Sequence, residues 1–247
     1  MLNKYKGCLL GAVLGDALGM PYETGPARRG AQLQPPVFGR AYHGHPNHVL
    51  LPGQYTDDGQ IILIVSRILA AGRFNGEEYA KELLRAYSLK KFRYPDGTVY
   101  AACKKMESSK NLLGSGISSD SAGCMALAIP FALRFRDRKE MARELLGACS
   151  ITHTHPAAQA ATLGFALLLN KLIETGDVSE AFSALDTAAL NMDADLSSRL
   201  RNAYRFEGAG MSIEEAAAVI GTASSVYHTL PMAVFLCKRC YAPAELY

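Results

Sequence analysis

Several features that mark whole classes of proteins are missing from this chain of 247 residues. It has no basic stripe, because Lys and Arg are scattered and the formal net charge is only +3, which argues against a nucleic-acid partner. Its longest apolar runs, such as residues 125–133, fall far short of the roughly 20 residues that a membrane helix needs. The N-terminus leads into apolar residues as a signal peptide would, but Asp16 interrupts them early. We therefore expect a cytoplasmic protein without a membrane partner.

Paired cysteines are also scarce. Of six cysteines, only Cys237 and Cys240 have C-x-x-C spacing. A zinc site would need a second pair of ligands and a redox site a βαβ setting, and neither pattern is present. The other four lie in apolar surroundings, which is typical of reduced, buried thiols: Cys8, Cys103, Cys124 and Cys149.

Alternating, β-branched patterns typical of strands are almost absent, and the chain instead shows helical periodicity. The pattern predicts an all-α protein, with one domain over residues 1–247 because no repeat or linker interrupts it. Its clearest predicted helices are 4–20, 76–89, 141–150, 156–174, 178–190 and 212–220. Two long non-helical stretches, 21–55 and 108–123, are candidates for functional loops.

Glycines recur every four residues along the first predicted helix, at positions 7, 11, 15 and 19. Each costs about 1 kcal/mol relative to Ala inside a helix. A glycine stripe permits close backbone approach, so we expect this helix near the centre of the fold. Close packing explains the glycines but explains neither Asp16 nor Glu23, just past the helix end.

The most informative motif is Thr56-Asp57-Asp58, placed directly before the apolar run 61–65. Thr56 is typical of an N-cap, and two acids in the first turn suit the helix dipole. Because the helix that follows is apolar on every side, the acids are expected to be partly buried, where two carboxylates repel each other unless a cation lies between them. We favour a divalent cation such as Mg²⁺, which is compatible with capping.

Two further segments are weaker candidates. The loop 114–123 is rich in Gly and Ser and precedes an apolar run, so its backbone N–H groups are candidate phosphate donors, although a flexible connector is the commoner explanation. In Thr152-His-Thr-His-Pro156 either histidine is a candidate ligand contact, but a histidine at a helix start is more often a satisfied polar group. The group His43, His45 and His48 lacks regular spacing and stays unassigned.

Taken in order, these motifs resemble the ADP-ribosylglycohydrolase family. The resemblance rests on five landmarks that together cover almost the whole chain: residues 6–23, 55–58, 119–124, 152–156 and 224–231. It implies an orthogonal all-α domain that holds two divalent cations in an acidic cleft and cleaves a glycosidic bond to ADP-ribose.

The resemblance also implies roles for individual residues. Metal ligands would be Glu23, Thr56, Asp57 and Asp58, with Glu23 and Asp58 as the catalytic carboxylates. The substrate contacts would be Ser119, Asp120, Ser121, Ala122, Gly123 and His155. A metal could hold the ribose hydroxyls and lower the pKa of a water, and a carboxylate could activate that water against C1 of the ribose.

Three departures from the family pattern affect these expectations. Gly59 stands where the family usually has Thr, and Ala126-Leu127 where Met-Arg is common. The family's C-terminal Asp-x-Asp-Thr stretch has no counterpart, since no Asp follows Asp195. The remaining ligands predict at most one Mg²⁺ or Mn²⁺ ion from this chain alone. Truncation, completion by another copy and lost activity are the three alternatives.

We expect a hydrolase that acts on an ADP-ribosylated protein or a small ADP-ribosyl compound. The alternative is a pseudoenzyme that binds ADP-ribose or a related nucleotide without cleaving it, and a purely structural helical protein ranks last because it leaves the acids unexplained. The linkage cleaved, the identity of the metal and the oligomeric state stay open.

Overall fold

In the computed structural model, which describes residues 2–23 and 37–240, every regular element is a helix. Eleven α-helices follow one another in these ranges: α1 (Leu2–Gly19), α2 (Asp57–Ala71), α3 (Gly76–Ser88), α4 (Gly97–Ser109), α5 (Ala128–Arg134), α6 (Arg138–Ser150), α7 (Pro156–Thr175), α8 (Val178–Met192), α9 (Ala194–Gly208), α10 (Ile213–Ile220) and α11 (Val226–Cys240). Short 3-10 helices lie at Met20–Tyr22 and Ala122–Leu127. Two isolated β-bridges join Ile117 to His153 and Ser121 to Ser225. The predicted all-α class is confirmed.

The helix ends follow the local signals in the sequence. All six predicted helices are present, with ends shifted by at most three residues. Asp177 caps α8 by accepting a bond from the N–H of Glu180, and Ser212 forms a capping box with Glu215 on α10. Gly176 ends α7 in the left-handed region at φ 74°, which costs glycine little. Residues 37–56 and 110–121 are irregular as predicted, while 24–36 and 241–247 lie outside the described residues.

The core forms on two faces of α7. One face packs against α5, α6 and the 3-10 helix Ala122–Leu127, and the other packs against α8, α9 and α11. Four fully buried alanines at 157, 158, 160 and 161 keep the N-terminal half of α7 thin, so that its neighbours approach closely. At Gly164 a Cβ would lie 2.6 Å from Leu185 Cδ1 of α8, so glycine allows the Leu185 side chain to pack against α7 in this position. By length and composition α7 could cross a membrane, but half of it is buried within the protein, as expected of a core helix.

The first helix lies at the periphery, and the prediction that it is central is wrong. Along α1 only Ala17 is buried, and Leu10 is 62% exposed. A Cβ added at any of the four stripe glycines would meet no heavy atom within 4 Å in the described structure. The helix packs on α2 and α5 through a different face, which carries Cys8, Leu9, Ala12 and Val13. Periodicity identifies a face that permits close approach, but it does not say which face the fold covers.

Three of the four thiols expected to be buried are buried: Cys103, Cys124 and Cys149. Cys8 is half-buried, and all four are free thiols. The Cys124 and Cys149 thiols interact within the core, so those two are neighbours rather than isolated groups. This pattern agrees with reduced thiols packed as small apolar side chains.

Candidate active site

The N-terminus of α2 is capped from another helix, by Asp16 of α1. Its carboxylate accepts bonds from the backbone N–H groups of Thr56 and Gly59, both at 2.9 Å, and from the Thr56 hydroxyl at 2.7 Å. Thr56 occupies the predicted N-cap position, but its side chain makes no capping bond to α2, so its predicted capping role is wrong. A carboxylate on α1 can satisfy two orphan N–H groups at once, whereas a threonine hydroxyl usually caps one.

Asp57 and Asp58 begin α2 in very different settings. Asp57 is only 7% exposed, and its Oδ2 accepts a bond from the Asp96 N–H at 3.0 Å. Burial raises the pKa of Asp57 to about 7; backbone hydrogen bonds oppose this, and the charges of Asp96 and Asp16 add to it. The Asp58 side chain is reachable by water, yet protein atoms surround it closely. This crowding, and then the charges of Asp57 and Asp16, raise the pKa of Asp58 well above its usual value.

Glu23 joins this group from the end of the first helical segment. It follows the 3-10 turn Met20–Tyr22, and its N–H donates to the Met20 carbonyl at 3.3 Å. The Glu23 side chain is exposed, but nearby protein atoms partly desolvate its carboxyl group, and this raises its pKa. The charge of His45 lowers the pKa of Glu23, and the charges of Asp16 and Asp96 raise it further. The Glu23 charge in turn raises the pKa of Asp58. Glu23 is therefore electrostatically coupled to Asp58, Asp16 and Asp96, although more than thirty residues separate it from Asp58 in sequence.

Asp96 is the member of this cluster that the sequence analysis missed. Its carboxylate caps α4 by accepting a bond from the Thr98 N–H at 2.8 Å. The same carboxylate oxygen accepts a bond from the Ser121 hydroxyl at 3.0 Å and lies 3.6 Å from His153 Nε2. Burial alone would raise the pKa of Asp96, but the His153 ring and these donors hold it below its usual value. The position of Asp96 directly after Pro95 and before α4 indicates a helix cap in the sequence, but it does not indicate the contact with Asp57.

His153 is a structural residue of this network and does not face solvent. The ring is fully buried, with Nε2 2.8 Å from Ser121 Oγ and Nδ1 2.9 Å from Thr152 Oγ1. Burial lowers the pKa of His153, but the contact with Asp96 and the charges of Cys124 and Asp96 raise it above its usual value. The ring therefore holds Asp96 and Ser121 in place, in agreement with a satisfied polar group.

The loop 119–123 packs directly against Asp96. Ser119 and Ser121 both bond to the Thr98 hydroxyl, at 2.8 and 2.9 Å. At Gly123 a Cβ would lie 2.7 Å from Asp96 Cβ, so glycine permits this approach. The N–H of Ser121 donates to Ser119 Oγ at 3.3 Å, and that of Ala122 to the Ser224 carbonyl at 2.7 Å. These two N–H groups are engaged within the protein, and contact of the loop with substrate stays a prediction.

Asp120 ties the loop to the start of α11, and α11 in turn contacts the start of α7. Asp120 Oδ2 accepts a bond from the Ser225 hydroxyl at 2.6 Å, and its carbonyl accepts one from the Val226 N–H at 2.8 Å. His155 caps α7 through Nδ1, which accepts a bond from the Ala157 N–H at 3.2 Å, and its ring meets the Tyr227 ring edge-on. The substrate contact expected of His155 is neither supported nor contradicted by this arrangement.

The family model described as ADP-ribosylglycohydrolase matches residues 1–244. The chain belongs to the ADP-ribosylglycohydrolase family. Among its relatives, an uncharacterized protein of Archaeoglobus fulgidus is 24% identical, over 95% of this chain and 76% of that protein. ADP-ribosylhydrolase ARH3 of Danio rerio is 25% identical, over 99% of this chain and 73% of that enzyme.

A solved structure supports the fold. The chain is similar to an ADP-ribosylglycohydrolase-related protein complex with a TM-score of 0.74 at 20% identity, over 96% of this chain and 75% of that one. At this identity the likeness concerns the fold alone. It confirms the predicted all-α ADP-ribosylglycohydrolase-type architecture.

Two of the departures from the family pattern have a structural explanation. A Cβ at Gly59 would lie 2.7 Å from Tyr55 Cδ2, so glycine allows the Tyr55 ring to lie against the first turn of α2. Ala126 and Leu127 are buried, Leu127 completely. A basic residue could not be placed there without burying its charge.

The acids of this cluster fit a divalent cation by chemistry but not as a finished binding site. Carboxylate oxygens are the ligands that Mg²⁺ prefers, and a cation would relieve the repulsion among Asp16, Glu23, Asp57, Asp58 and Asp96. Within the described residues, however, no three Asp, Glu, His or Cys side chains are arranged to hold a metal ion, and this includes the His43, His45 and His48 group. Both oxygens of Asp16 and one of Asp57 are also engaged by protein donors.

Proposed function

We propose that this protein hydrolyses a glycosidic bond to ADP-ribose. Family membership supports ADP-ribosylglycohydrolase-type function in general terms. The observation that carries the proposal for this chain is the convergence of Glu23, Asp57 and Asp58 with Asp96, with the pKa of the first three raised. Carboxyl groups whose pKa is raised by their surroundings are candidates for acid–base chemistry.

In this reaction Glu23 and Asp58 are the catalytic carboxylates. Both are exposed to solvent, so both can reach a bound substrate and an attacking water. A carboxylate with a raised pKa is a stronger base, so Glu23 would accept the proton of the water that attacks C1 of the ribose. Asp58, in its ionised form, would stabilise the oxocarbenium-like transition state with its negative charge.

The cofactor of the proposal is one weakly held Mg²⁺ or Mn²⁺ ion per chain. Thr56, Asp57, Asp58 and Glu23 would hold it, with water completing the coordination shell. When bound, such an ion orients ribose hydroxyls and lowers the pKa of a ligated water. The oxygens already engaged at Asp16 and Asp57 support weak rather than tight binding.

The substrate class is an ADP-ribosylated protein or a small ADP-ribosyl compound. Ser119 to Gly123 would contact the diphosphate and ribose, since the loop packs against Asp96 at the edge of the acidic cluster. His155, next to Tyr227, would contact the substrate beyond this loop. Free thiols at Cys103, Cys124 and Cys149 support a reducing, cytoplasmic setting.

A binding protein that holds ADP-ribose without cleaving it is the second candidate. The specific observation in its favour is that no three ligand side chains of the described residues are arranged for a metal. Binding through the loop 119–123 does not require the metal, whereas efficient hydrolysis would.

Two measurements together separate the two candidates. The first is release of ADP-ribose from ADP-ribosyl-arginine, with and without 5 mM Mg²⁺ or Mn²⁺, and the second is calorimetry of ADP-ribose binding. Metal-stimulated release that falls at least about a hundredfold in Glu23→Gln supports the hydrolase. The exposed helical Glu214→Gln is the matched control and should retain wild-type release. Binding without release supports the second candidate, and the absence of both contradicts the proposal.

A further inference from the structure

The segment that carries Asp96 into the acidic cluster is a strained connection. It runs from the end of α3 at Ser88 to the start of α4 at Gly97. Two of its non-glycine residues have left-handed backbone conformations, Lys90 at φ 52° and Tyr94 at φ 57°. Such conformations are uncommon for side chains of this size and persist where surrounding contacts hold them.

One side chain of α2 makes two hydrogen bonds to this connection. The Gln60 amide donates from Nε2 to the Lys91 carbonyl at 3.0 Å and accepts at Oε1 from the Arg93 N–H at 2.9 Å. One side chain thus satisfies a backbone acceptor and a backbone donor two residues apart. The connection is thereby attached to the first turn of the helix that carries Asp57 and Asp58.

A second contact attaches the same segment to the residue before the acidic motif. Arg93 Nη1 donates to the Tyr55 carbonyl at 2.8 Å, and its guanidinium carbon lies 4.6 Å from the centroid of the Tyr55 ring. The Tyr55 ring occupies this position because residue 59 is glycine. We define Gln60 and Arg93 together as the loop clasp.

We infer that the loop clasp positions Asp96 for the proposed reaction. The clasp ends three residues before Asp96, whose N–H donates to Asp57 Oδ2 at 3.0 Å. Ser121 and His153 hold the other end of Asp96, through carboxylate oxygen Oδ1. The clasp therefore fixes the distance of the Asp96 backbone from Asp57, whereas Ser121 and His153 fix the position of the Asp96 carboxylate. Gln60 and Arg93 are positioning residues, and this role in turnover rests on the function proposed above.

Amide hydrogen exchange at Asp96 in the full chain tests the clasp without relying on activity. In Gln60→Ala the segment loses two hydrogen bonds, and we expect exchange at Asp96 to become about tenfold faster or more. Gln54→Ala is the matched control, since within the described residues the Gln54 side chain accepts a local bond from the Leu51 N–H, and exchange at Asp96 should not change. Gln60→Glu, which keeps the acceptor and loses the donor, should have an intermediate effect even if Gln60→Ala folds poorly.

Steady-state kinetics then test the positioning role. Gln60→Ala and Arg93→Ala should lower kcat roughly tenfold with KM changed less than about twofold, because the Asp96 N–H is displaced from Asp57, which is proposed to help hold the metal ion, while the substrate contacts stay in place. Arg93→Lys, which can still donate to the Tyr55 carbonyl, should restore most of kcat. Arg67→Ala, an exposed arginine on the same helix as Gln60, should behave as wild type.

The outcomes separate this inference from the proposed function. Unchanged exchange at Asp96 in both Gln60 variants overturns the clasp whatever the activity. Faster exchange with unchanged kcat overturns its role in positioning Asp96. A wild-type protein that binds no ADP-ribose and releases none overturns the proposed function, while the exchange measurement still decides whether the clasp exists.

Discussion

The acidic cluster has two parts in which the pKa of aspartate side chains is shifted in opposite directions. At the start of α2, burial and neighbouring carboxylates raise the pKa of Asp57 and Asp58. At the start of α4, contacts with His153, Ser121 and Thr98 hold the pKa of Asp96 below its usual value. The first part is a set of acids without enough compensating donors, and the second is a saturated hydrogen-bond network. A rigid hydrogen-bond network beside mutually repelling acids is the arrangement expected where reactive side chains must be held in a fixed position.

The largest effect should come from removing the support at its most buried point. His153→Ala would leave a cavity and deprive Ser121 and Asp96 of their partner. We expect the free energy of unfolding to fall by about 3 kcal/mol. Urea denaturation measures this change. His155→Ala, which removes only the half-buried cap of α7, should cost about 1 kcal/mol, and equal losses in the two variants would contradict the distinction.

A smaller loss should follow from forcing the loop away from Asp96. In Gly123→Ala the new Cβ would lie 2.7 Å from Asp96 Cβ and Cγ. We expect a loss of about 2 kcal/mol in the free energy of unfolding, together with weaker ADP-ribose binding. Gly147→Ala is the matched control in α6, where a Cβ meets nothing within 4 Å, and it should stabilise the protein by up to about 1 kcal/mol. A neutral Gly123→Ala would show that the loop moves freely.

The pH dependence of stability should reveal the repulsive part of the cluster. Because the pKa of Asp57 rises from 3.8 to about 7 on folding, the folded state binds more protons than the unfolded state between these values. This contribution is fully present below pH 4 and is lost as the pH rises towards 7. Asp57→Asn keeps an acceptor for the Asp96 N–H, so we expect the fall in the free energy of unfolding between pH 4 and pH 7 to be about 1–2 kcal/mol smaller in this variant. Denaturation curves from pH 4 to 8 measure it, and an equally steep decline in the variant would contradict the assignment.

The smallest effect should come from adding a divalent cation. An ion among Glu23, Asp57 and Asp58 would reduce their repulsion, so 5 mM Mg²⁺ should stabilise the protein at pH 8 by less than about 1 kcal/mol. Thermal denaturation with and without Mg²⁺ detects this shift, and Asp58→Asn should abolish it. Calorimetry that finds two tightly bound ions per chain would contradict the proposed single weak site.

Local sequence was enough to locate the six helices with the clearest periodicity and the acidic motif. Capping residues and glycines act within one turn, so the ends of α7, α8 and α10 were predictable, and the order of the five landmarks identified the family. Only the tertiary structure decided that Asp16 rather than Thr56 caps α2, that Asp96 lies against Asp57, and that α1 is peripheral. Each of these depends on contacts between residues about 40 positions apart or on which helix face is covered. Helical periodicity repeats every few residues and carries no information about either.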